Sequence, residues 1–174
     1  MNKYLILIIG LLVIASCKPT KEDRLKEIRD LERQTMMEAK TISDQRADSL
    51  LMMYDKFIED FPTDSACVVM LYNASDICTN IDRCDKAINY LERLISDFDD
   101  NYMEEISRFK MGYIYEKACK DKEKAKQAYR EFIDEYPKSD LATDATTMLE
   151  ILDLTDSLIM RKFEAENDTT IPFE

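Results

Sequence analysis

Apolar side chains recur along most of the chain at intervals of three and four residues, the spacing that places them on one face of an α-helix. Two such segments, residues 86–99 and 124–137, match position by position at a distance of 38 residues, as Ala87 and Ala125 illustrate. A third copy, residues 50–62, lies 37 residues further upstream. A period of this length predicts a stack of similar helical units, because no single unit can bury its apolar face alone.

Interruptions of the apolar pattern divide the chain into helices. Polar caps and the two prolines Pro62 and Pro137 mark several of the ends. The predicted helices cover about residues 22–40, 44–60, 64–79, 83–98, 102–118, the segment ended by Pro137, 140–153 and 155–164. With only two glycines, four prolines and many strong helix formers, the composition favours an all-α fold.

The residues that recur within each unit carry a family resemblance. A small residue and an aromatic lie on the first helix, followed by alanine, aromatics and a closing proline on the second: Gly112, Tyr115, Ala125, Tyr129, Phe132 and Pro137. This pattern resembles the tetratricopeptide repeat, although the period is longer than 34 residues and tryptophan is absent. The resemblance implies an α–α superhelix over residues 24–153, with about three helical hairpins and a capping helix. The longer unit is similar to that of BamD-type lipoproteins of the outer-membrane β-barrel assembly machinery and of Tol–Pal adaptors.

The N-terminus has the features of a lipoprotein signal. A basic start and a short apolar run, too short to span a bilayer, predict a signal peptide over residues 1–16. The sequence Ile14-Ala15-Ser16-Cys17 resembles the bacterial lipobox, which implies lipidation of Cys17, a tether over residues 17–23 and a place in the bacterial cell envelope. Lysine rather than aspartate after the cysteine favours the outer membrane. Residues 154–174 are predicted to form a short helix and an acidic tail.

Charge and composition exclude several functions. Acidic residues number 36 against 24 basic ones, and the resulting net charge of −12 repels nucleic acid. Histidine is absent, which removes the usual general base and the commonest metal ligand. The acidic turn at residues 97–101 lacks the glycine and closing glutamate of a calcium loop. We therefore expect no enzyme activity, no cofactor and no metal site.

The first helix of each repeat is predicted to face a partner. Residues beside the packing positions form the candidate partner-binding groove: Leu71, Ser75, Phe109, Tyr113 and Glu116. Alternatively, Phe109 packs against Tyr90 or Leu91 and Tyr113 only covers the surface, as aromatics at helical spacing most often do. The lysines and asparagines that clamp a peptide carboxylate in related repeats are missing from the corresponding positions.

Three cysteines, Cys78, Cys84 and Cys119, fall where first helices turn into second ones, so they are expected near one edge of the stack. Outside the cytoplasm, Cys84 could pair with Cys119 or with Cys78, or all three could remain small buried thiols. A fourth ligand for zinc is lacking, and Cys67 is expected in the core.

The sequence therefore leads to two hypotheses of function. One is a membrane-anchored adaptor or scaffold of the bacterial envelope that binds a protein or peptide through its helical repeats. The other is an obligate structural subunit of an outer-membrane assembly, for β-barrel insertion or of a divisome or Tol–Pal type. A reversible binder should leave a polar-rimmed apolar groove, whereas an obligate subunit should expose a larger dry patch.

Overall fold

A computed structural model describes residues 19–38, 42–98 and 102–167, and every regular element in these ranges is an α-helix. In chain order the helices are α1 (Lys21–Glu38), α2 (Asp44–Asp60), α3 (Ala66–Asn80), α4 (Cys84–Asp97), α5 (Glu104–Lys117), α6 (Lys122–Glu135) and α7 (Asp140–Asn167). The predicted all-α fold is thereby confirmed. Across the same ranges no helix combines the length and apolarity needed to cross a membrane.

Helix α1 belongs to a compact unit of its own, Met1–Ala39, and α2–α7 belong to a second unit, Lys40–Glu174. A reciprocal cap starts α1: Thr20 Oγ1 accepts a hydrogen bond from the backbone N of Asp23 at 3.2 Å, and Asp23 Oδ2 accepts one from the backbone N of Thr20 at 3.0 Å. Because this cap starts the helix at Lys21, the end of the predicted tether 17–23 is helical.

The helices of the second unit form two layers. Consecutive helices pack on each other throughout, from α2 on α3 to α6 on α7. Contacts between next-but-one helices join α3 to α5 and α5 to α7, whereas no Cα atoms of α2 and α4, or of α4 and α6, lie within 8 Å of each other. One layer therefore contains α3, α5 and α7, and the other contains α2, α4 and α6, which is the arrangement expected of stacked helical hairpins.

The period of the sequence is also present in the turns between the layers. Asp82, after α3, and Lys120, after α5, have positive φ angles of 54° and 56° and are separated by 38 positions. A left-handed residue just beyond a helix end frees the chain to reverse direction while backbone hydrogen bonds close the last turn. After α3 this bond runs from the N of Arg83 to the carbonyl O of Cys78, at 2.8 Å.

A close contact between the layers lies at the only glycine within the described helices, Gly112 of α5. A Cβ atom built at this position would lie 2.6–2.9 Å from three ring carbons of Tyr129 on α6. The Tyr129 ring is fully buried, and Ala74, 38 positions before Gly112, is equally buried in α3. The small residue on the first helix and the aromatic on the second thus form one interlocking contact.

Helix α7 runs without interruption through residues 140–167, so the predicted break between helices 140–153 and 155–164 is wrong. Neither glycine nor proline occurs in this stretch. Thr155, which could have capped a new helix, instead donates its hydroxyl to the carbonyl O of Ile151 at 2.8 Å. The predicted C-terminal segment 154–174 is therefore, as far as residue 167, a continuation of the last helix of the stack.

An ion cluster attaches α7 to α6. Lys126 is only 7% exposed, and its Nζ lies 2.8 Å from Asp153 Oδ1 and 2.6 Å from Asp156 Oδ2. Lys122 Nζ lies 3.0 Å from the other oxygen of Asp156. Hydrogen bonds to Asp153 and Asp156 raise the pKa of Lys126, so this lysine keeps its charge throughout the physiological range.

Candidate functional site

The structure places two of the predicted groove residues in the core. Leu71 and Ser75 of α3 both have side chains with no exposed surface. The prediction that they line an open groove is corrected accordingly, because a partner cannot contact a side chain covered by neighbouring helices. Leu71 instead supplies buried apolar area to the stack.

Phe109 is partly buried and packs between the helices of its own repeat. Its ring centroid lies 5.8 Å from that of Tyr129 and 5.6 Å from that of Phe132, both on α6. These partners differ from Tyr90 and Leu91, which the alternative interpretation of the sequence named. They make Phe109 a packing residue on its buried side, and its part in a partner-binding groove stays a prediction.

Tyr113 and Glu116 are the predicted groove residues that reach the surface. The Tyr113 side chain is 46% exposed, and Glu116, 15% exposed, forms an ion pair with Lys117. Their participation in binding stays a prediction, since no contact of either residue points to a ligand.

A buried lysine that the sequence gave no reason to single out connects the first helices. Lys110 of α5 is 8% exposed; its Nζ lies 2.7 Å from Asp76 Oδ1 and 3.6 Å from the ring centroid of Tyr72, both on α3. Burial lowers the pKa of Lys110, and the Asp76 carboxylate opposes this shift. The ammonium group thus serves as a polar clamp between two repeats, stabilised by an ion pair and a cation–π contact.

An open groove of about 920 Å³ lies between α2 and α4. Residues of these two helices and of the turns that follow them line it: Asp48, Leu51, Met52, Asp55, Lys56, Ile58, Glu59, Pro62, Lys86, Asn89, Tyr90, Arg93, Asp97 and Phe98. Leu51 and Ile58 are buried at its apolar floor, and Met52 on its rim is 68% exposed. We call this feature the α2–α4 groove.

Polar side chains cross the α2–α4 groove and fix its width. Tyr90 Oη donates a 3.0 Å hydrogen bond to Asp55 Oδ2, and Arg93 Nη1 lies 3.8 Å from Asp55 Oδ1. At one end Arg83 forms an ion pair with Asp48, and its hydrogen bonds lower the pKa of that carboxyl. Burial raises the pKa of Tyr90, so the phenol remains a neutral hydrogen-bond donor. These groups bridge two helices rather than forming a nucleophile and its base.

The same position in the next repeat carries a smaller groove. Its open volume is about 270 Å³, and it is lined by α6, by Arg108, Met111 and Tyr115 of α5, and by Glu92 of α4. The α2–α4 groove, by comparison, approaches the upper end of the 300–1,000 Å³ that ligand-binding clefts typically offer.

The cysteine at the start of α4 forms a disulfide with the cysteine after α5. Cys84 and Cys119 have Cα atoms 5.0 Å apart and are joined by this bond, whereas Cys67 and Cys78 are buried free thiols. The structure thus has the first of the two pairings that the sequence left open, and Cys78 remains a free thiol. Cys17 lies outside the described residues, and within them no group of three metal-ligating side chains occurs.

Comparison with known families agrees with the geometry of one repeat. Residues 107–139 match the tetratricopeptide repeat family, and this segment contains most of α5, all of α6 and the Gly112–Tyr129 contact. No curated protein matches the chain. The match supports a tetratricopeptide repeat protein, and repeats of this kind are typically non-catalytic modules that bind protein partners.

Proposed function

We propose that the chain is a protein-interaction module and that the α2–α4 groove receives a segment of the partner protein. The observation that carries this proposal is the groove itself: an apolar floor, an exposed methionine on the rim and an open volume of about 920 Å³ in a stack of repeats. Methionine adapts its shape to different apolar partners, which suits a binding surface.

The chemistry of the groove indicates what the segment should look like. Apolar side chains of the partner would displace water from Met52 and Pro62, the exposed apolar residues of the groove, which supplies most of the binding free energy. Lys86 and Asn89 lie on the α4 wall, while Glu59 and Asp97 add negative charge. The matching segment is an amphipathic one, with an apolar strip flanked by charges of both signs.

We further propose that the module is lipid-anchored in the bacterial cell envelope. The support is the lipobox-like sequence that ends at Cys17 and the resemblance of the repeats to envelope lipoproteins. Metabolic labelling with a fatty-acid analogue and membrane fractionation test this point. Cys17→Ser should lose both the label and the membrane association, and a labelled, membrane-bound Cys17→Ser protein would refute the anchor.

The groove is tested by photocrosslinking in the producing cell. A photoreactive residue replaces Met52 in the α2–α4 groove or, as the matched control, Val69, which is 41% exposed on α3. We expect a discrete adduct from position 52 but not from position 69, and we expect Asn89→Arg on the opposite wall to abolish it. Equal adducts at both positions, or an adduct unchanged by Asn89→Arg, would contradict the assignment of the groove.

A further inference from the structure

The last helix exposes an apolar stripe on a face other than the one that packs on α6. Ile151, Leu154 and Leu158 of α7 follow each other at intervals of three and four residues and are 50%, 60% and 56% exposed. Ala145 and Leu152, which are buried against α6, lie on a different face of the same helix. Ile159 and Met160, 56% and 57% exposed, lie on other faces of the helix, whereas these three large apolar side chains form one continuous line.

Charges of opposite sign flank this stripe on one edge. Glu150 and Arg161 are both exposed, and at 100° per residue they lie within about 20° of each other around the helix axis. One precedes the stripe and the other follows it. Consider two antiparallel copies of this helix in the register that places Leu154 of one opposite Leu158 of the other. Glu150 of the first copy then lies within one residue, about 1.5 Å of helix rise, of the position opposite Arg161 of the second copy.

The acidic residues nearest the centre of the stripe do not oppose such a pairing. Asp153 and Asp156 are already neutralised by the ion cluster with Lys126 and Lys122 on α6. The charges that remain at the two ends are complementary under a two-fold axis, and a two-fold interface presents the same patch from both copies.

We infer that the outward face of α7 is a homodimer interface, in which two copies pair antiparallel through Ile151, Leu154 and Leu158, with reciprocal Glu150–Arg161 ion pairs. One helix face buries less area than a standard stable interface. The dimer is therefore weak and depends on protein concentration.

Charge reversal tests the geometry as well as the contact. The full chain, purified in a non-ionic detergent, is analysed by sedimentation equilibrium at increasing protein concentration. Glu150→Arg alone and Arg161→Glu alone each place like charges together at both ends of the interface. Each should weaken the dimer about tenfold. An equimolar mixture of the two variants should restore the wild-type affinity, because both ion pairs form again in the heterodimer.

Leu154→Arg should abolish the dimer, and Val69→Arg, at an exposed apolar residue of α3, should leave it unchanged. A monomer at every concentration would overturn the inference. So would a dimer insensitive to Leu154→Arg, or one that the mixed charge variants fail to restore. If Leu154→Arg instead releases the chain from lipid vesicles without changing its oligomeric state, the stripe is a lipid contact and the dimer proposal is wrong.

Discussion

Replacing Gly112 by alanine adds one methyl group where α5 lies against the Tyr129 ring of α6. The new Cβ would meet Cε1, Cδ1 and Cζ of Tyr129 at 2.6, 2.7 and 2.9 Å. Side-chain atoms essentially never come this close, so either the ring or the helix has to move. The ring cannot move freely, because it is fully buried and Phe109 packs on it with the two ring centroids 5.8 Å apart.

Two opposing effects set the size of the change. Alanine favours a helix interior over glycine by roughly 0.5–1 kcal/mol. Overpacking a closed core by one methyl group costs about 1–3 kcal/mol. Because a buried aromatic ring blocks relaxation here, we expect the steric effect to prevail and the free energy of unfolding to fall by about 1–2 kcal/mol.

Denaturant-induced unfolding, followed by circular dichroism, measures this difference. The control is the same substitution in a Tyr129→Leu background, where the atoms nearest to the new methyl group are gone. There Gly112→Ala should be stabilising by about 0.5–1 kcal/mol, so the sign of the effect reverses. If Gly112→Ala stabilises the wild-type chain, or costs the same in both backgrounds, the interlocking contact is not what fixes glycine at this position.

The remaining predictions concern two tyrosines and three cysteines. Tyr129→Phe should raise the unfolding free energy by up to about 1 kcal/mol, because it removes a buried hydroxyl that has no hydrogen-bond partner among the described residues. Tyr90→Phe should lower it by about 1 kcal/mol, because the hydrogen bond to Asp55 is lost. Replacing Cys84 and Cys119 by serine, which opens a loop with a sequence separation of 35, should lower the unfolding free energy by about 3–4 kcal/mol; equal stability before and after reduction would contradict this value. Burial raises the pKa of Cys78 from the ordinary thiol value of 9.0 to about 11. Between pH 9 and pH 11 the unfolded chain therefore binds fewer protons than the folded chain, and the free energy of unfolding should fall as the pH rises. Cys78→Ala should show a shallower fall over that window in denaturation curves recorded at several pH values.

The sequence alone predicts the helices and their register well, for a local reason. Helical spacing of apolar residues and the 38-residue period are properties of neighbouring positions, and they give the helix bounds to within a few residues up to residue 137. The pairing of Gly112 with a second-helix aromatic also follows from the repeat pattern, because a small residue can face a large one only at that register.

Exposure, by contrast, depends on contacts between repeats that no local pattern records. Ser75 and Tyr113 occupy the same register position, yet the serine is fully buried and the tyrosine is 46% exposed. Lys110 looks like an ordinary surface lysine until α5 is placed on α3 and brings it to Asp76. The α2–α4 groove was missed for the same reason: its two walls belong to helices that do not adjoin in sequence. The continuity of α7 was not predicted because a threonine hydroxyl can either cap a new helix or donate a hydrogen bond to the preceding turn of the same helix. The sequence around Thr155 does not distinguish the two.

The bond between Cys84 and Cys119 also determines how the chain would respond to a pulling force. Because it closes a segment with a sequence separation of 35, α4, α5 and the connection between them cannot lengthen when the two ends of the protein are drawn apart. At roughly 3.4 Å per residue, this segment could extend by about 120 Å only after the disulfide is reduced. A chain held at one end by a membrane and at the other by a partner would in this way keep its central hairpin intact under load.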